Sequence, residues 1–418
     1  MNLRERIALA RLRLNWRWLQ LRAAFYRQSC SATPSLVLVP CDPSSVIGSR
    51  GDEAMVYSIA RDFRRRHPEG RIMIVTNRPV FAETSDGQRL KMDFDAEFSY
   101  AWRPRFFLSN IVRAYKGARA TEVCVLGADC MDGHWSVYSS LILLAAADLA
   151  ARMGIATRLT GFSWNEHPCP EVVKAFGNVT QKLPILVRDP VSYERFVQSV
   201  HLKKGHAATL VADVAFNLKP RITTHVQVEL DWMAEQRVAG RFVLGFNLHA
   251  TLVKKESLPS LIETTIKQLR VFMAAHPQLA IALVPHDYRE GGDMEVLRQI
   301  AESLASDGTH IRLVTTIFSA EELKALVGGL DALFTSRMHL GIAALGMGRP
   351  IAAFAYQGKF AGLFKHVNLS EKLILSPEMA SGLAELLGVL LRDVKLAAQL
   401  VDESLLPILK LSKNNLNK

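Results

Sequence analysis

The segment "TSRMHLGIAALGMGRPIAAFAYQGKFAGLF" (335–364) places a guanidinium, Arg337, and an imidazole, His339, at the mouth of an apolar helix. A strand ends near Thr335, and Ser336 is a suitable N-cap, so both side chains fall in the first turn. Free backbone N–H groups and the helix dipole favour an anion there. Arg337 adds a planar fork for carboxylate or phosphate. His339 can donate a hydrogen bond or move a proton near neutral pH. Lys359, just past the next strand, brings a second cation, with Tyr356 ahead of it. The helix body "LGIAALGMG" is small and apolar, which predicts burial. A buried helix tipped with cations points to an anionic ligand. The alternative is that Arg337 pairs with a carboxylate across the domain and His339 only caps.

Four other strand ends carry polar residues of the same kind. "VPHDYREGGD" (284–293) offers His286, with Asp287 to orient or deprotonate a partner. "LVRDPVSYE" (186–194) offers Arg188, followed by Asp189 as a cap and Pro190 at the first helical position. "GSRGDEAMVYSIARDF" (48–63) is a glycine loop feeding a helix, although it matches neither the dinucleotide nor the Walker A pattern. Gly48 and Gly51 there allow close backbone approach to a ligand. Asp52 is either an N-cap or a reactive acid, and Glu53 is an early-turn acid. "VLGADCMDGHWS" (125–136) holds Asp129, Asp132 and His134, which could face a sugar. No metal-ligand spacing, no G-x-S-x-G elbow and no Ser–His–Asp set is present, so the sequence calls for neither a metal nor a cofactor.

The elements that must position these residues alternate along the chain. Short apolar runs stand at 36–40, 71–77, 123–128, 155–164, 184–189 and 208–216, and helical stretches separate several of them. The polar, proline-bearing "NLKPRITTH" (217–225) reads as a linker, and the pattern restarts at 242–250, 281–287, 311–316, 332–337 and 351–356. Such alternation implies βαβ units and parallel sheets covered on both faces. The expectation is two doubly wound α/β domains, 29–217 and 226–418, facing a cleft. Ligands in such sheets bind outside the carboxyl ends of the strands. Asn247 and His249 belong to the same set of strand-end residues.

Composition agrees with this. The chain of 418 residues is 49% apolar, enough for two buried cores. Its five cysteines, at 30, 41, 124, 130 and 169, form no C-x-x-C pair and are odd in number, which argues for a reducing compartment. No apolar run follows the charged N-terminus as a secretory signal requires. The most apolar window, 139–154, is too short to span a bilayer and carries Asp148 and Arg152.

The formal net charge is +11, and residues 1–28 concentrate it, with seven arginines against Glu5 alone. The remainder is only mildly basic, which argues against a nucleic-acid footprint. Within that arm Leu3, Ile7, Ala10, Leu14, Trp18, Leu21 and Phe25 recur at three- and four-residue steps, the stripe of an amphipathic helix. A basic helix with aromatic anchors suits an anionic membrane surface. Docking on the protein body or on another subunit is the other reading, and a nucleic-acid arm a third.

Taken in order, "GDEAMVYSIA", "VLGADC", "VRDPVSYE", "VADVAF" and "SRMHLGIAALGMGRPIAAFAYQGKFAGLF" resemble the polysaccharide pyruvyl transferase family. The last block carries the family's arginine–hydrophobic–histidine, small-residue helix, G-x-P turn, strand, tyrosine and lysine, as Arg337, Met338, His339, Gly348, Pro350, Tyr356 and Lys359. The family's run of glycines is replaced by "GADCMDG", where Gly127 alone matches clearly, which points to an altered acceptor choice.

The resemblance implies a GT-B-like fold of two Rossmann-like domains preceded by the basic helix. It implies transfer of pyruvate from phosphoenolpyruvate, the co-substrate, to two hydroxyls of a sugar. The sugar would belong to a surface polysaccharide, a glycolipid or a lipid-linked precursor, and phosphate would be released. The setting would be cytoplasmic, peripheral on the inner membrane face if the arm binds lipid. The second domain would take the donor through Arg337, Lys359, Ser336, Tyr356 and, from the first, Arg188. The first would take the acceptor through Gly51, Glu53, Asp132 and His134. His339 would handle proton transfer or phosphate departure, with His286 second, and Asp52, Glu53 or Asp132 would be the base. Two rivals remain: a GT-B glycosyltransferase using a nucleotide sugar, with Glu321 or Glu322 set against a ribose, and a degenerate scaffold of a membrane polysaccharide complex.

Overall fold

The computed structural model describes residues 3–416 apart from 24, 27–32, 43–45, 47, 78–81, 84–88, 91–95, 100–106, 306–309 and 356–357. Helix α1 (Leu3–Ala23) precedes a first α/β half. That half contains β1 (Ser35–Val39), α2 (Arg50–Arg66), β2 (Arg71–Val75), a short ribbon of β3 (Ala82–Glu83) and β4 (Arg89–Leu90), and β5 (Glu97–Ser99). It continues through α3 (Phe107–Gly117), β6 (Glu122–Val125), α4 (Val137–Arg152), β7 (Ala156–Phe162), α5 (Pro170–Phe176), β8 (Ile185–Val187), α6 (Pro190–Ser199) and β9 (Ala208–Leu210). The second half runs α7 (Thr224–Val238), β10 (Phe242–Phe246), α8 (Leu258–Ala275), β11 (Leu279–Leu283), α9 (Asp293–Ala305), β12 (His310–Leu313) and α10 (Ala320–Val327). It ends with β13 (Ala332–Thr335), α11 (Met338–Leu345), β14 (Ile351–Phe354), α12 (Lys359–His366), β15 (Ile374–Leu375), α13 (Leu383–Arg392) and α14 (Val394–Lys413).

Both sheets are parallel and twice wound. The seven-stranded sheet has the order β5-β2-β1-β6-β7-β8-β9, and the six-stranded sheet β12-β11-β10-β13-β14-β15. The central strands β1, β6, β11, β13 and β14 are buried along their whole length. This is why they read as unbroken apolar runs rather than alternating ones. In each sheet the chain reverses direction of travel at one point, between β1 and β6 and between β10 and β13. The loops leaving those four strands diverge there and open a crevice.

The halves are fastened on one side of the crevice. Gly48, at φ +97°, lets the chain turn so that its carbonyl accepts from Tyr288 N–H at 3.3 Å, and Arg50 N–H donates to His286 O at 3.3 Å. Glu53, buried, pairs with Arg50 on its own helix and accepts from Ala320 N–H at 2.8 Å, capping α10 of the other half. From the far end, α14 returns to the first half. Asn415 Oδ1 accepts from Gly161 N–H at 2.7 Å, and its Nδ2 donates to Ala212 O at 2.8 Å.

Helix α1 docks, but not on the stripe that the sequence singled out. Leu9, Leu12, Trp16, Leu19 and Ala23 are buried against the body, while Ile7, Leu14, Trp18, Leu21 and Phe25 are exposed. The docked face is fixed by Asp148 of α4, which is fully buried. Its carboxylate accepts from Trp16 Nε1 at 2.9 Å, Gln20 Nε2 at 2.8 Å, Arg152 Nε at 2.9 Å and Thr180 N–H at 2.7 Å. A buried charge costs little when hydrogen bonds and an opposite charge satisfy it this completely. No helix among the described residues is long and apolar enough to cross a membrane.

Candidate active site

A cavity of about 210 Å³ lies where the switch points of the two sheets meet. Its walls come from loops at strand carboxyl ends. Ser49, Gly51 and Asp52 follow β1, Ala128 and Asp129 follow β6, and Arg188 follows β8. From the other half come His249 after β10, His286 after β11, Ser336 to His339 after β13, and Phe360 after β14. The sequence-derived residues Gly51, Asp52, Arg188, His286, Ser336, Arg337 and His339 are therefore brought together. A larger cavity of about 490 Å³ adjoins it and shares Asp52 and Asp129. Trp135, Ser136 and Ser139 at the start of α4, with Asp42, Asn77 and Arg289, line this second space.

Arg337 is the N-cap of α11 rather than a first-turn residue. Thr335 Oγ1 accepts its N–H at 2.9 Å, and the Ser336 hydroxyl instead accepts His249 N–H at 2.6 Å, tying two strand ends together. The guanidinium is firmly held. Nε and Nη2 donate to Asp293 at 3.0 and 2.6 Å, and Nη2 reaches Asp287 at 3.2 Å. Asp293, fully buried, also accepts from Asn247 Nδ2 and from the N–H groups of His286 and Asp287. The carboxylate partner envisaged as the alternative thus exists, yet Arg337 still lines the cavity. Its Nη1 makes no hydrogen bond among the described residues. Arg188 is fixed likewise, by Ser163 Oγ at 2.7 Å and Asp213 Oδ2 at 3.1 Å. Both cations are pre-positioned, which lowers the ordering cost of receiving an anion.

The two histidines differ. His286 is buried close to Arg337, His339 and Arg50, and burial first, then these neighbours, hold it well below its ordinary value despite Asp287. It is a neutral imidazole at physiological pH. Burial alone would raise Asp287, but Arg289 and Arg337 outweigh this and bring it to about 2. His339 packs against Gly51 in the first turn of α2. A Cβ added to Gly51 would stand 2.6 Å from its Nδ1. Its buried Nε2 has no hydrogen-bond partner among the described residues and lies 3.7 Å from Asp213 Oδ2. Gly51 therefore accommodates this ring, where a close approach to ligand was expected.

Other expected residues fall elsewhere. Glu53 is consumed in fastening the halves, as described above. Asp132 is buried and accepts from His134 N–H and from Asn165 N–H and Nδ2, so it shapes its loop. His134 is exposed, edge-on to Trp135, outside both cavity walls. Asp189 caps α6 through Ser192 N–H at 2.8 Å, as the sequence predicts, whereas Asp52 lies in the first turn of α2 behind the N-cap Ser49. Glu321 pairs with Arg61, and Glu322 closes a capping box with Ser319. Tyr356 and the Lys359 side chain lie outside the described residues. Asp213 and Asp293, which hold the two arginines, were missed. Their signal was an acid close to a strand end, in "VADVAF" and in "EGGD".

The family model for polysaccharide pyruvyl transferases matches residues 50–358, from the start of α2 to the turn before α12. The chain belongs to that family. Every residue lining the smaller cavity of this transferase, apart from Ser49 and Phe360, lies within the matched span. No curated protein matches it. Among solved structures it resembles S. aureus MnaA bound to UDP, with TM-score 0.55, 10% identity and 88% and 91% of the two chains covered. It resembles the UDP-GlcNAc 2-epimerase of Neisseria meningitidis bound to UDP-GlcNAc, with TM-score 0.52, 11% identity and 88% and 94% covered. Anabaena Alr3699/HepE with UDP gives TM-score 0.51, 13% identity and 92% and 97% covered. At such identities the likeness speaks for the fold alone: this pyruvyl transferase has the two-domain GT-B architecture.

Proposed function

We propose that the chain transfers pyruvate from phosphoenolpyruvate to two hydroxyls of one saccharide, forming a cyclic ketal and releasing phosphate. The observation that carries this reading is the joining of two cavities. The smaller gathers Arg337, Arg188, His286 and His339, and the larger shares Asp52 and Asp129 with it. The donor's carboxylate and phosphate go to Arg337 Nη1, Arg188 and the start of α11, with Lys359 assigned as a further cation from its place at the start of α12. The saccharide goes to the larger space, where Trp135 offers an apolar face and the acids accept hydroxyl protons.

Chemically, the methylene carbon gains a proton and the central carbon becomes electrophilic. One hydroxyl adds, and the second displaces phosphate. Of the two hydroxyl protons, one is balanced by the new methyl group and the other leaves with phosphate. Asp52, at the junction, is the base for the attacking hydroxyl. His339, whose Nε2 is unsatisfied, moves the proton to donor carbon or phosphate. Neutral His286 donates a hydrogen bond to developing charge. The acceptor is a polysaccharide unit or its lipid-linked precursor, handled on the cytoplasmic side.

A second reading, glycosyl transfer from a nucleotide sugar, draws only on the shared fold, in which structural neighbours were solved with UDP or UDP-GlcNAc. Against it, Glu321 and Glu322 are both engaged within the protein. The test is incubation with phosphoenolpyruvate and a panel of saccharides, following phosphate and the ketal methyl signal by NMR. Saccharide-dependent phosphate release with a new methyl resonance is expected. Consumption of a uridine diphosphate sugar with phosphoenolpyruvate untouched would overturn the proposal.

A further inference from the structure

We propose that α1 is a two-faced helix whose outer face lies in the interface of an anionic lipid bilayer while its inner face stays docked on α4. At about 100° per residue, Ile7, Leu14, Trp18 and Leu21 fall within about 60° of arc, on the side of α1 away from Leu9, Leu12, Trp16, Leu19 and Ala23, and Phe25 follows in the turn after the helix. Their exposures are 44%, 66%, 52%, 71% and 87%. Among the described residues no other helix presents more than two large exposed apolar side chains. Folding alone does not require this stripe, because the opposite stripe already holds the helix.

The charges say what covers it. On the same helical projection Arg4, Arg11 and Arg22 line one edge of the stripe, and Arg6, Arg13 and Arg17 the other, all exposed. The Arg22 guanidinium stacks 4.6 Å over the Trp18 ring. An apolar strip about one side chain wide, rimmed on both edges by arginines and carrying Trp and Phe, fits an interfacial helix. Its apolar side chains enter the acyl boundary, and its guanidiniums reach lipid phosphates. A second copy would set one arginine rim against another. A nucleic acid would leave Leu14, Leu21 and Phe25 facing phosphate. The helix is too polar to span, so it lies in the plane.

The consequence for the enzyme follows α4. Asp148, which anchors α1, is twelve residues from Ser136 at the edge of the larger cavity, about 18 Å along the helix. Bilayer docking would hold that cavity at a set distance from the lipid, within reach of a lipid-linked saccharide. This last clause rests on the acceptor reading above, whereas membrane docking does not.

The experiment is co-sedimentation of the full chain with phosphatidylcholine vesicles and with vesicles containing phosphatidylglycerol. Binding to the anionic vesicles alone is expected, weakened by salt. The double variant Trp18→Ser/Leu21→Ser should bind about tenfold or more weakly, since it removes two large apolar groups. It should keep the same melting temperature and phosphoenolpyruvate binding. Failure of the wild-type chain to bind anionic vesicles, or equal binding by the variant, would overturn the proposal. So would light scattering that shows a dimer which the variant abolishes.

Discussion

Two helix mouths face each other across the cleft, and both open on an arginine. At the start of α2, Arg50 is buried, stacks 5.1 Å over Tyr288 and pairs with Glu53. Its charge is matched by Glu53, whose other oxygen caps α10. At the start of α11, Arg337 is also braced by carboxylates, yet it remains in the cavity wall beside His339. The first mouth fastens the halves, and the second lines the cavity. The same pairing of cation and acid serves either purpose. What decides is whether the remaining guanidinium edge meets protein or open space.

The largest effect that would sharpen this contrast is at Glu53. Replacing it by Ala strands Arg50 and the Ala320 N–H, and breaking a buried ion pair costs about 3–5 kcal/mol. Denaturant unfolding should show that loss, while phosphoenolpyruvate affinity of the folded protein changes little. A large drop in affinity at unchanged stability would erase the distinction between the mouths.

A smaller effect is expected where they touch. In Gly51→Ala the new Cβ would stand 2.6 Å from His339 Nδ1, so the ring must shift. Turnover should fall about tenfold or more, as expected when a reacting group is misplaced by a fraction of an ångström. Donor binding should persist. Unaltered turnover would remove His339 from proton transfer.

The smallest effect is on pH dependence. Unfolded His286 binds a proton near 6.5, whereas the folded imidazole, buried among Arg337, His339 and Arg50, does so only at lower pH. Between those values the unfolded state holds more protons, so stability falls as pH falls below about 6.5. Asp287 acts in the same direction at lower pH. Its contribution is present above its ordinary value of 3.8 and is lost as pH falls through about 2. Thermal melts from pH 7 to 5 should show the decline, and His286→Gln should flatten it. An unchanged slope in that variant would mean the imidazole is not held neutral.

Much of this was legible in the sequence because parallel sheets advertise themselves. Uninterrupted apolar strands give the two halves, and polar residues just beyond them give the cavity wall. Arg337 and His339 stood out because nothing in a buried small-residue helix explains them. What stayed hidden depends on tertiary neighbours. The partners of Arg337 and Arg188 come from 44 and 25 residues away, and no local pattern links Asp293 or Asp213 to them. Glu53 and Asp132 were plausible site acids by position alone. Only packing shows that their oxygens are already occupied. In α1 two stripes have helical spacing, and periodicity cannot tell which one meets the protein. Asp148 decides that, from 132 residues away.

The measurement closest to the central claim is a calorimetric titration of phosphoenolpyruvate into the wild-type chain, Arg337→Ala and Glu53→Ala, beside a uridine diphosphate sugar. Saturable phosphoenolpyruvate binding in the wild type and in Glu53→Ala, lost in Arg337→Ala, is the predicted result. Binding of the nucleotide sugar alone, or phosphoenolpyruvate binding indifferent to Arg337, would contradict it.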